Sequence, residues 1–282
     1  MPEPSVSFAD GPRSRIAYRR SGTGPPLVLL HPLALSGAVW GAFARLLATS
    51  FDVIASDARG HGDSGWDGTP FSIDDLADDV AALLDAISVP AAHVIGMSMG
   101  GSTAISFAGR YPERADGLLL ADTTAWYGAD AAGKWEARAR TAVEKPREQQ
   151  VPFQADRWFT ESFRRRNADE VNRVVGIFLR TSSPAHAAAS RAMGAMDSRP
   201  LLTNITARTL VLTGEEDYAT PPAMGTAIAD GVPGARARVL PQLRHLSLVQ
   251  DPGLAGLAAD FLAGPATGAD DAGTGSTSGA RA

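Results

Sequence analysis

Three residues of this sequence have the types and chain positions to carry out nucleophilic chemistry together: Ser98, Asp217 and His245. A free serine hydroxyl is a weak nucleophile, and it attacks a carbonyl only when a neighbouring base takes its proton as the new bond forms. An imidazole suits that task near neutral pH. A carboxylate on the far ring nitrogen fixes the tautomer and stabilises the imidazolium. Ser98 stands in Gly96-Met97-Ser98-Met99-Gly100-Gly101. Glycines two residues to either side of the serine let a strand and a helix approach across a sharp turn. Taken alone, the same string also reads as a glycine-rich turn with a helix-capping serine.

Asp217 closes Gly214-Glu215-Glu216-Asp217, which follows a strand ending at Thr213, and His245 lies beyond a strand ending near Leu240. Both positions fall at carboxyl ends of strands, where open parallel sheets build their sites. Glu215 and Glu216 are rival acids; they read as solvated loop carboxylates, and Asp217 is preferred on its spacing from the strand. His245 by itself would be an ordinary surface histidine, and its company makes it the general base. The developing oxyanion needs donors. The backbone N–H of Met99 is one, and a second is expected from His31-Pro32-Leu33-Ala34. Pro32 has no N–H, so Leu33 is the expected donor. His31 reads as structural support for that loop.

Around these residues the sequence alternates strand and helix patterns. Strands are expected at Arg15–Arg20 near a sheet edge, Leu27–Leu30, Phe51–Ala55, His93–Gly96, Gly117–Ala121, Thr209–Leu212 and Ala237–Leu240. Helices are expected at Val39–Leu47, Ile73–Ile87 behind a Ser72 N-cap, Ser98–Gly109, Pro222–Asp230 and Leu254–Leu262. This alternation implies an α/β fold with a mostly parallel twisted sheet flanked by helices. From about Trp126 to Ile205 no strand candidate occurs. Helical segments at Ala131–Glu144, Ala168–Arg180 and Pro184–Met196 fill that stretch. The expected organisation is therefore a core of residues 1–123 and 206–263, a helical cap of residues 124–205, and a Gly-, Ala-, Thr-, Ser- and Asp-rich tail of residues 264–282 that cannot bury enough apolar surface to order itself. Asp57-Ala58-Arg59-Gly60-His61-Gly62-Asp63-Ser64 reads as a rigid turn tying loops together.

Composition excludes several alternatives. The 282 residues contain no cysteine, so disulfides, thiolate catalysis and cysteine-ligated zinc are ruled out. Five scattered histidines form no metal-binding pair of the H-E-x-x-H kind, and no metal is expected. A net charge of −5 argues against nucleic acid as a partner, and Arg164-Arg165-Arg166 reads as a solvated helix face. No apolar run is long enough to span a membrane. Without a basic and then apolar N-terminal leader, the expected location is the cytoplasm.

Across about residues 15–263 these motifs resemble the α/β-hydrolase superfamily, which uses the chain order Ser, Asp, His. Within it the chain resembles the 3-oxoadipate enol-lactonase branch. The matching pieces are the non-glycine pair before Leu33, Trp40, Asp57 to Gly62, the Ser98 turn, Arg157-Trp158-Phe159-Thr160, Asp197-Ser198-Arg199-Pro200, and Gly214 to Asp217 with Thr220-Pro221-Pro222. The resemblance implies hydrolysis of a small-molecule ester or lactone with no cofactor, on a substrate that also carries a carboxylate. A cation in the pocket follows, with Arg138, Arg140 and Arg157 as candidates, and Trp135 and Trp158 either line the pocket or pack the cap on the core. The rival readings are a tailoring methylesterase, a lyase, cyclase or haloperoxidase-like enzyme on the same three residues, and a non-catalytic binder of small molecules. Oligomeric state is not legible.

Overall fold

The computed structural model describes residues 4–264. Eight strands form one sheet in the order β1-β2-β4-β3-β5-β6-β7-β8. They are β1 (Val6–Asp10), β2 (Arg15–Ser21), β3 (Pro26–Leu30), β4 (Asp52–Ser56), β5 (Ala92–Met97), β6 (Ala115–Ala121), β7 (Arg208–Gly214) and β8 (Arg236–Leu240). Only β2 runs antiparallel to its neighbours β1 and β4, and the other pairings are parallel. The expected mostly parallel α/β sheet is thus the observed one. The strand at Arg15 is near the sheet edge as expected, and β1, for which no strand was expected, forms the edge itself, pairing along it from Asp10–Arg15 to Val6–Arg19.

The continuous apolar runs explain the layering. In β3, Leu27 and Leu29 join one buried cluster while Val28 and Leu30 join another, so alternate side chains pack on opposite faces. The helices α1 (Gly41–Leu47), α2 (Ile73–Ala86), α3 (Met99–Arg110), α9 (Pro222–Gly231) and α11 (Leu254–Ala263) cover these faces, and α10 (Ser247–Gln250) is a single turn. Ser72 begins α2 with a full capping box: its hydroxyl accepts from the Asp75 N–H, and the Asp75 carboxylate accepts from the Ser72 N–H at 2.7 Å.

β6 and β7 lie side by side in register, Gly117 opposite Arg208, so the chain between them is one long excursion. It forms α4 (Ala131–Glu144), α5 (Arg147–Trp158), α6 (Glu161–Arg166), α7 (Ala168–Arg180) and α8 (Ser183–Ala195), with one isolated bridge between Trp126 and Asp197. Trp135, Trp158, Phe178 and Met193 of this insertion share the cluster that contains Leu33 and Met99, so the helices rest on the sheet's carboxyl end. Arg164 bonds to Asp156 and Arg165 to Glu161, so the basic stretch is a face of paired and exposed charges. The sequence expectation for residues 265–282 lies outside the described residues.

Candidate active site

Ser98 sits between β5 and α3 with φ 56° and ψ −120°, a conformation that side chains other than glycine rarely adopt. Its N–H donates to Ala121 on the neighbouring strand at 2.9 Å, which pins the turn to the sheet. The flanking glycines are required by contact. A methyl on Gly96 would overlap the backbone of Gly100, and one on Gly100 would overlap the Leu30 carbonyl. The strained turn therefore lifts the Ser98 hydroxyl at the start of α3.

The two partners arrive from far along the chain. His245 Nε2 lies 2.9 Å from Ser98 Oγ, and His245 Nδ1 lies 2.8 Å from Asp217 Oδ2. All three residues are buried. Asp217 is held from several sides: Oδ1 accepts from the N–H groups of Ala219 and Thr220, and Oδ2 accepts from the Thr220 hydroxyl at 2.7 Å. Burial alone would raise its carboxyl, but the His245 charge, its hydrogen bond and the Thr220 donors outweigh that and hold it below the ordinary carboxylate range. Burial pushes His245 down; Asp217 opposes the shift, while Arg157 and Arg138 add to it. The base is thus kept neutral and able to accept a proton. Glu215 and Glu216 are exposed, Glu216 meeting Arg244 at the surface.

For an oxyanion the structure offers Leu33 and Met99. Met99 is the first residue of α3, so its N–H has no acceptor inside the helix. The Leu33 N–H donates to none of the acceptors among the described residues. Leu33 enters a turn closed by the Leu35 N–H on the Pro32 carbonyl, with Ala34 at φ 60°. His31 supports this loop. Its Nδ1 lies 2.7 Å from the Pro32 carbonyl and its Nε2 accepts from the Ala58 N–H at 2.9 Å. Burial lowers it to about 4, so it is neutral and structural. The turn from Asp57 is equally tied: Asp57 accepts from the N–H groups of Gly37 and Asp63, and Arg59 makes a buried two-point pair with Asp79 at 2.7 Å.

The insertion brings two arginines near enough to His245 to act on its charge. Arg138 and Arg157 are both partly enclosed, and among the described residues neither has a carboxylate within 4.0 Å. Burial lowers both, and Arg138 is lowered further by Arg157. Arg138 lies 5.0 Å over the Trp135 ring, and Trp135 meets the Tyr127 ring edge-on at 4.9 Å. Tyr127, pushed up to about 12 by burial, has a buried hydroxyl without a partner. Trp135 and Trp158 are buried in the packing between insertion and core, and Arg140 is exposed.

Comparison with known proteins bears on this arrangement. Residues 25–252 match the family described as the alpha/beta hydrolase fold. The chain belongs to the alpha/beta hydrolase family. It is 32% identical over 228 residues to 3-oxoadipate enol-lactonase 2 of Acinetobacter baylyi, covering 81% of this chain and 84% of that protein. Among solved structures, the enol-lactonase from Burkholderia xenovorans superimposes with a TM-score of 0.86 at 29% identity, covering 91% of this chain and 99% of its own. A thermophilic esterase from Thermogutta terrifontis gives 0.83 at 28% identity, covering 92% and 98%.

Two residues of this alpha/beta hydrolase escaped the sequence reading. Asp122, just after β6, is fully buried at φ 49° and accepts from the N–H groups of Gly214 and Ser247, both at 2.9 Å. It thereby joins the loop carrying Asp217 to the segment behind His245. Burial and then the nearby Asp217 charge push its carboxyl well above the usual range. Tyr127 is the other. An aspartate directly behind a buried strand was the available signal for Asp122; nothing local marks Tyr127. No group of three or more His, Cys, Asp or Glu residues suited to a metal occurs among the described residues, and no helix there is long and apolar enough to cross a membrane.

Proposed function

We propose that this protein is a serine hydrolase that cleaves a small-molecule carboxylic ester or lactone through an acyl-enzyme. The observation that carries the reading is the pair of short contacts, 2.9 Å from Ser98 Oγ to His245 Nε2 and 2.8 Å from His245 Nδ1 to Asp217 Oδ2. In the first half-reaction Ser98 Oγ attacks the ester carbonyl while His245 Nε2 takes its proton. The Leu33 and Met99 N–H groups receive the oxyanion, and each such donor contributes about 3–4 kcal/mol to the transition state. His245 then hands the proton to the leaving alkoxide or enolate. In the second half it takes a proton from water, which attacks the acyl carbon, and it returns that proton to Ser98 Oγ as the acyl–Oγ bond breaks. Asp217 keeps the imidazole oriented and stabilises it while charged. No step requires a metal or an organic cofactor.

The insertion serves as a cap and bears on the choice of substrate. Arg138 and Arg157, both lacking a carboxylate partner, fit a negative group on the part of the substrate away from the reacting carbonyl. A lactone that also bears a carboxylate, as the relatives' enol-lactonase name implies for them, suits this wall better than a neutral ester. The test is a panel of lactones and esters run on wild type beside Ser98→Ala. Turnover is expected for wild type, strongest on carboxylate-bearing members and nearly absent in the variant. Equal hydrolysis of an activated ester by Ser98→Ala would remove the mechanism.

A further inference from the structure

The end of α5 lies along the segment that carries His245. The Asp156 carbonyl accepts from Arg244 Nη1 at 2.8 Å, and the Trp158 carbonyl accepts from the Leu246 N–H at 3.1 Å. Arg157, between them, therefore stands opposite His245, between Arg244 and Leu246. The Asp156 side chain adds more. Its Oδ1 accepts from Arg244 Nη1 at 3.3 Å and from Arg164 Nη2 at 2.8 Å, and its Oδ2 accepts from the Tyr218 hydroxyl at 3.1 Å. Tyr218 directly follows Asp217, and Arg244 directly precedes His245. Arg244 also reaches Glu216 at 3.2 Å, and its guanidinium lies 5.6 Å over the Tyr218 ring. One carboxylate on the insertion thus holds the chain neighbour of the acid and the chain neighbour of the base.

We propose that Asp156 is a positioning residue for catalysis, setting the spacing between the Asp217 and His245 loops from the insertion side. This rests on the serine-hydrolase reading above. Asp156 touches no reacting atom, and its side chain is 47% exposed, so each of its bonds is individually modest. Their effect comes from where they converge. The two loops are also joined by the Glu216 N–H on the Leu243 carbonyl at 2.9 Å and by Arg244 on Glu216 at 3.2 Å, but the acid and base themselves meet at one 2.8 Å contact, and a displacement of about 1 Å in such a site costs up to a hundredfold in rate. The Asp122 side chain ties the same two loops from beneath, so Asp156 completes a clasp from above. Seating of the insertion and geometry of the base are then one mechanical event.

The experiment uses the full chain at 25 °C with p-nitrophenyl acetate, a neutral ester, and with a fluorophosphonate that labels Ser98. Asp156→Ala is expected to lower both kcat and the labelling rate about tenfold, with KM for the neutral ester within about twofold of wild type. Asp156→Glu should recover part of the loss. Glu136→Gln, which breaks the comparably exposed Arg191 pair between α4 and α8, should leave both rates unchanged. If Asp156→Ala keeps wild-type kcat and labelling, even with a lower melting temperature, the residue is structural only and the proposal falls. A wild type that neither labels nor turns over defeats the reading of Ser98 itself, and the proposal with it. Should Asp156→Ala not fold, Tyr218→Phe removes one of the bonds alone. A fall of about threefold in kcat supports the clasp and an unchanged kcat overturns it.

Discussion

The two walls of the site differ in how completely their polar groups are satisfied. On the core wall, Ser98 Oγ, both His245 nitrogens and both Asp217 oxygens have partners within the protein. On the insertion wall, the Tyr127 hydroxyl and Arg138 Nε are buried without any. A buried polar group left unpaired costs roughly 1–3 kcal/mol. The three reacting side chains of the core wall are therefore paired before a ligand arrives and that wall leaves the backbone N–H groups of Leu33 and Met99 open, whereas the insertion wall leaves polar side chains open. On the function proposed above, bond-making chemistry belongs to the first and substrate choice to the second.

If that division holds, substitutions on the two walls should separate cleanly by effect. The largest effect belongs to the core wall. Ser98→Ala should reduce kcat on every ester by about 10⁴-fold or more, with the fold retained by circular dichroism. Asp217→Asn should follow at about 10²- to 10⁴-fold, also regardless of substrate, because the wrong tautomer is favoured. Loss on only one class of ester would blur the distinction.

On the insertion wall, Arg138→Met and Arg157→Met should raise KM for a carboxylate-bearing ester about tenfold or more, while a neutral ester changes by less than about twofold. The same variants should also alter the pH profile. Both arginines push His245 down, so removing either lets it rise. In the proposed mechanism activity needs neutral His245 and is lost as pH falls through its value. The acid limb of kcat/KM for the neutral ester should therefore move to higher pH in both variants.

Beneath the core wall, His31 at about 4 and His61 at about 3 are neutral when folded and bind protons more readily when unfolded. Their contribution to stability is present above about pH 6.5 and is lost as pH falls towards those values. Each histidine removes about 1.4 kcal/mol per pH unit in that window, which urea titrations between pH 7 and 4.5 would register. The smallest effect is expected from Ser72→Ala. It should cost about 1 kcal/mol of stability with no change in kcat, since its capping box lies far from either wall.

Much of the core was legible because its signals are local. Buried strands such as Leu27–Leu30 are continuous apolar runs, and the Ser98 turn declares itself through glycines that contact forces on the chain. β1 was missed because it is an edge strand with a single buried residue, Ala9, and Phe8 turned outward at 47% exposure. α5 was missed for the opposite reason. Its inward stripe runs Gln150, Gln154, Trp158, with Pro152 between, so helical spacing is carried by amides instead of apolar residues. Gln150 is spent on the carbonyls of Thr141 and Lys145 at the end of α4. Ser98, Asp217 and His245, which the fold brings within hydrogen-bond reach, could be singled out by motif and order. The contacts of Asp122 and Asp156 with Gly214, Ser247, Tyr218 and Arg244 could not, because those residues lie 62 to 125 positions away along the chain.

The relay from Ser98 through His245 to Asp217 stands or falls on whether a covalent bond forms at Ser98. Wild type mixed with an activated ester or lactone and quenched within one turnover should carry the mass of the acyl fragment on the peptide containing Ser98. Ser98→Ala should carry none. Continued turnover with no acyl mass on that peptide, or an equal mass in the variant, would contradict the mechanism.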